Sequence, residues 1–80
     1  MTKTERISAE VQRLLDDLWD EMDRKDMTVR EMAEKTGITA RGIYAWRWQK
    51  RDRSPNLYNM VDCAMALGMK LKLVRSETNG

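Results

Sequence analysis

Val11, Leu14, Leu15, Leu18, Trp19 and Met22 recur at intervals of three and four residues, which places them on one stripe of an amphipathic helix. Ser8 stands ahead of the stripe as an N-cap, so the pattern predicts a first helix over about 8–24. Asp16, Asp17, Asp20 and Asp23 fall off the stripe and read as its solvated face. A second inner face, Val29, Met32 and Ala33, follows Thr28, and Glu31 three residues later completes a capping-box pattern. Gly37 is the left-handed residue that ends this helix near 36. Thr39 caps a third helix running to about Gln49, with Ile43 and Trp46 turned inward. Ser54-Pro55 supplies an N-cap and a first helical residue for a fourth helix over about 54–67. Its stripe is Leu57, Met60, Val61, Ala64 and Leu67, and Gly68 closes it. From Met69 the period drops to two: Met69, Leu71 and Leu73 alternate with Lys70 and Lys72, which predicts a short strand over about 69–75.

Eighty residues accommodate one small domain with one core. The expectation is therefore a single all-α unit over 1–80, with a strand appended. No apolar run approaches the ~18 residues of a membrane span. The N-terminal MTKTERISAE lacks an apolar signal segment, so a cytoplasmic protein is expected. Cys63 is the single cysteine and allows no internal disulfide; it reads as a partly buried apolar residue beside the fourth-helix stripe. Histidine is absent, which removes the commonest general base and leaves no credible zinc site. With no glycine-rich phosphate loop either, the chain reads as a non-enzyme without cofactor or metal.

The net charge of +2 conceals a division. Residues 1–27 carry five Lys/Arg against eight Asp/Glu, whereas residues 28–75 carry ten against four. A basic body behind an acidic leading helix points to a polyanion met by one face. The stretch TGITARGIYAWRWQKRDRSP sharpens this. It holds Tyr44, Trp46 and Trp48, three of the five aromatics, among Arg41, Arg47, Lys50, Arg51 and Arg53. Two short helices joined at Gly37 form a helix-turn-helix arrangement, whose second helix enters the DNA major groove. Ala33 is small where the helices cross, and Ile43 with Trp46 anchors the second helix. RNA is a poorer partner, because the narrow A-form major groove excludes a helix.

The segment TVREMAEKTGITARGIYAWRW resembles the helix-turn-helix of the Cro/C1-type repressor family, also called the XRE family. The similarity continues through SPNLYNMVDCAMALGMKLKLV, the fourth helix and strand of small phage and plasmid regulators, and covers roughly 8–75. It implies a lambda-repressor-like domain of four to five helices with a short C-terminal β-strand. It also implies a dimeric transcriptional repressor, in places autoregulatory, acting on an inverted-repeat operator in double-stranded DNA. Val29 departs from the family, which often has Gln there to contact the DNA backbone; Thr28 or Arg30 is then expected to take that contact.

Ala40, Arg41, Tyr44 and Ala45 lie opposite the anchors and are the candidates for base contact. Arg41, on the first turn, suits guanine, with a phosphate contact or a solvated arginine as alternatives. The alanine methyls suit thymine methyls or serve helix propensity alone. Tyr44 meets a phosphate or base, or packs on a neighbouring helix. Gly42 costs about 1 kcal/mol inside a helix, which close backbone approach to DNA would justify. Trp46 and Trp48 are two apart and cannot share a face; Trp46 is assigned to the core and Trp48 to the flank. Phosphate contacts are expected from Thr39, Arg47, Trp48, Lys50, Arg51 and Arg53, together with Thr28 and Arg30. A lone strand needs a partner, so Met69, Leu71 and Leu73 are the expected homodimer contacts. The rival reading is an antitoxin-like or other protein-interaction module built on the same fold.

Overall fold

The computed structural model describes residues 2–48 and 54–76. Within them lie four helices: α1 (Lys3–Arg24), α2 (Val29–Thr36), α3 (Ala40–Trp48) and α4 (Leu57–Ala66). The all-α expectation holds.

Helix α1 begins five residues earlier than the apolar stripe indicates. Thr2, not Ser8, is its N-cap: the Thr2 hydroxyl accepts from the Glu5 N–H, and the Glu5 carboxylate accepts from the Thr2 N–H, each at 3.2 Å. A reciprocal capping box satisfies two otherwise orphaned donors, so the helix forms well ahead of the residues that bury it. Leu15, Leu18, Trp19 and Met22 pack into the core, whereas Val11 and Leu14 stay exposed. Roughly the first twelve residues, about 18 Å at 1.5 Å per residue, overhang the core of a molecule whose overall extents are 41 × 25 × 22 Å. The C-terminus of α1 is closed by Asp26, a non-glycine residue at φ 53°, with the Met27 N–H donating to the Met22 carbonyl at 2.8 Å.

Helices α2 and α3 begin and end close to the predicted positions. Thr28 and Glu31 form the capping box, and Gly37 terminates α2 at φ 80°, where a side chain is disfavoured. Helix α4 starts later than Ser54-Pro55 suggests. Asn56 is its cap, accepting from the Asn59 N–H at 2.8 Å; asparagine is as good a cap as serine, and Pro55 precedes it. The buried face of α4 is Met60, Cys63 and Ala64, continued by Leu67, while Leu57 and Val61 of the predicted stripe are exposed. Cys63 is thus a core residue, and burial, helped by Asp62, pushes its thiol up to about 11.

Helix α2 sits at the centre, packed against both α3 and α4. Met22, Met32, Ile43 and Leu67 are almost fully inaccessible and join all four helical regions into one core. Lys25 stitches the end of α1 to that of α4 by donating from Nζ to the Leu67 carbonyl. Among the described residues no helix is long and apolar enough to cross a membrane.

The segment after Gly68 differs from expectation. Residues 69–76 form neither helix nor strand. An alternating pattern stabilises a strand only when another strand supplies hydrogen-bond partners, and none occurs among the described residues. Met69 packs partly against the core, its N–H on the Ala64 carbonyl, while Leu71 is partly and Leu73 almost wholly exposed.

Candidate nucleic-acid interface

The turn between α2 and α3 is held by local hydrogen bonds. The Gly37 N–H donates to the Ala33 carbonyl at 2.8 Å. The Thr36 hydroxyl donates to the Met32 carbonyl at 2.8 Å and accepts from the Ile38 N–H at 3.1 Å. The Thr39 hydroxyl then accepts from the Gly42 N–H at 3.1 Å and caps α3. With these turn groups bonded to one another, the angle of α3 to α2 is fixed by local chemistry as well as packing. Ile43 locks α3 into the core, flanked by Ile38, Ala40 and Trp46, all partly buried.

This arrangement separates the candidate readers. Arg41, Tyr44, Ala45 and Trp48 share the outward face, at i, i+3, i+4 and i+7, with Arg41, Tyr44 and Trp48 exposed and Ala45 half-buried. Ala40 does not join them, because its methyl packs against the core. Tyr44 and Trp48 stack with ring centroids 4.8 Å apart and planes 28° from parallel, making a continuous aromatic surface one turn long. Arg41 and Arg30 are exposed and form no ion pair among the described residues.

Gly42 has a local explanation. A Cβ there would lie 3.2 Å from the Thr39 hydroxyl and 3.7 Å from Ile38 Cγ2, so glycine makes room for the cap of its own helix. The hydroxyls of both Thr28 and Thr39 are engaged in caps.

Arg47 is turned back into the molecule. Its Nη2 donates to both carboxylate oxygens of Asp23, at 3.0 and 3.2 Å. Its guanidinium carbon lies 5.7 Å from the Trp19 ring centroid and 4.9 Å from that of Trp48. The side chain is only 19% exposed. One arginine, resting on the Trp48 ring of its own helix, therefore ties α3 to α1 through the Trp19 ring and the Asp23 carboxylate, which no pattern within either helix discloses. A phosphate contact through Arg47 would require breaking that pair. Lys50, Arg51 and Arg53 lie outside the described residues.

Comparison with known proteins finds no family model, no curated protein and no solved structure that matches the chain.

Proposed function

We propose that the chain is a sequence-specific, double-stranded DNA-binding transcriptional regulator. It acts as a dimeric repressor of the Cro/C1 type and inserts α3 into the major groove of an inverted-repeat operator. The observation that carries this reading is the outward face of α3: a short, rigidly anchored helix presenting an exposed Arg41 beside small and aromatic side chains. A groove about 12 Å wide admits such a helix, and an arginine on its first turn can donate two hydrogen bonds to guanine O6 and N7. Arg30, at the start of α2, is placed to meet the phosphate backbone beside the groove. The basic run Lys50, Arg51 and Arg53 extends the phosphate contacts past the end of α3. Arg47 is a positioning residue in this scheme, holding α3 at its angle through Trp19 and Asp23.

Selecting bound sequences from a random duplex pool tests the proposal. Enrichment of one inverted repeat supports it; a pool that stays random after several rounds overturns it. A second reading, an antitoxin-like protein-interaction module, is favoured by the bare apolar face of α4, where Leu57, Tyr58 and Met65 are exposed. Salt separates the two, since DNA affinity falls steeply with salt through counterion release and an apolar protein interface barely responds.

A further inference from the structure

Apart from Tyr44 and Trp48 on α3 and Leu71, Leu73 and Val74 in the C-terminal segment, the large apolar side chains left bare by the fold collect on two helical faces. Ile7, Val11 and Leu14 carry the α1 stripe past the end of the core, at 54%, 37% and 48% exposure. Leu57, Tyr58, Val61 and Met65 line a groove of about 590 Å³ along the outer side of α4, with Asp62 at its edge. Among the described residues nothing covers either face. Contiguous exposed apolar surface on a small domain marks an interaction site. The α1 overhang makes the point more strongly. A full capping box closes it at Thr2, so the overhang stays helical beyond its own packing and presents Ile7, Val11 and Leu14 as one face.

We propose that the two faces cover each other between two copies of the chain. The α1 overhang of one protomer lies in the α4 groove of its partner, and a two-fold axis repeats the contact. Matching length supports this pairing: Ile7 to Leu14 spans roughly 11 Å of helix axis and Leu57 to Met65 roughly 12 Å, at 1.5 Å per residue. Charge supports it too. Helix α4 contains no Lys or Arg and brings Asp62 to the groove, whereas the overhang carries Lys3, Arg6 and Arg13 against Glu5 and Glu10, a net +1, with Glu5 held by the cap and Glu10 paired to Arg13 at 3.4 Å. The adaptable Met65 side chain and the broad Tyr58 ring suit a helix laid across them. With a two-fold axis between the copies the arm–groove contact occurs twice and the assembly closes as a dimer; without that axis the same contact would run head to tail into an open chain. The outward face of α3 takes no part, so the inference stands independently of DNA binding.

Sedimentation equilibrium of the full chain provides the test, using substitutions at exposed positions. The arm variant is Ile7→Lys with Val11→Lys, and the groove variant is Val61→Glu with Met65→Glu. Far-UV circular dichroism checks that each remains helical. The wild type is expected at twice the 9.4 kDa chain mass. Each variant alone should raise the dimer dissociation constant at least about tenfold, the effect of removing one buried anchor. An equimolar mixture should recover the dimer, because one arm–groove contact is intact and the other now sets lysines against glutamates. A gentler pair, Val11→Asn and Val61→Asn, serves if a charged variant loses helicity. A wild type that stays monomeric overturns the inference, as does a mixture that fails to recover. So does a dimer indifferent to both variants and abolished only by truncation after Gly68, which would place the contact on the C-terminal segment.

Discussion

Arg47 offers the sharpest comparison between two kinds of interaction in one side chain. Replacing it with alanine removes the ion pair in which Nη2 is shared between the two Asp23 oxygens, and the contacts with the Trp19 and Trp48 rings. Asp23 is 67% exposed, so the ion pair contributes only about 0–1 kcal/mol. Each cation–π interaction adds about 0.5–1 kcal/mol, and the arginine stem covers apolar surface as well. Arg47→Ala should therefore cost about 2 kcal/mol. Asp23→Ala removes the pair but leaves the guanidinium on its rings. It also relieves an acid from the last turn of α1, where the helix dipole disfavours negative charge by about 0.3–1 kcal/mol. Its net effect should be below about 0.5 kcal/mol. With a urea slope of roughly 1 kcal/mol/M for a small domain, Arg47→Ala shifts the unfolding midpoint by about 2 M and Asp23→Ala by less than about 0.5 M. Both shifts should change little in high salt. If Asp23→Ala costs as much as Arg47→Ala, the ion pair holds α3 to α1 and the stacking argument is wrong. The same variant bears on DNA binding: Arg47→Ala should leave the salt slope unaltered, whereas an arginine seated on a phosphate would give a slope lower by about 0.9 when removed.

Asp26→Gly should stabilise the domain by about 1 kcal/mol in the same urea assay, because glycine accepts φ 53° freely and an acid leaves the end of α1; destabilisation would mean that Asp26 makes an interaction worth more than its strain. Replacing Lys50, Arg51 and Arg53 together should weaken specific and non-specific DNA binding alike and lower the salt slope by about 0.9 for every phosphate that the run neutralises; an unchanged slope makes the run solvated surface. Cys63, buried and with its thiol raised to about 11, should react with a disulfide reagent at a mildly alkaline pH of about 8 only as fast as the domain opens, and rapidly in urea; fast labelling of the native protein contradicts its place in the core.

The middle of the chain was legible because its signals are local. Thr28 with Glu31 and Gly37 at the far end bracket α2 by hydrogen-bond chemistry contained within ten residues. Ile43 and Trp46 orient α3 by spacing alone. The ends were harder to read for physical reasons. The stripe of α1 begins at Val11, but the helix begins where Thr2 and Glu5 cap it, and capping needs no burial. Ser54 and Asn56 compete as caps of α4, and composition does not choose between them. Alternation in MKLKLV describes a strand that needs a partner from outside the described chain. Asp23 and Arg47 are separated by 24 residues, so their pairing emerges only once α1 and α3 have been packed together.

Base-pair reading by the outward face of α3 rests first on Arg41. The measurement is the affinity of the wild type and of Arg41→Ala for the selected duplex and for every single-base variant of it. The expected result is a loss of about 1–3 kcal/mol on the selected site, with discrimination abolished at one base pair in each half-site and retained at the others. A uniform loss across all variants would contradict it and leave Arg41 a phosphate contact.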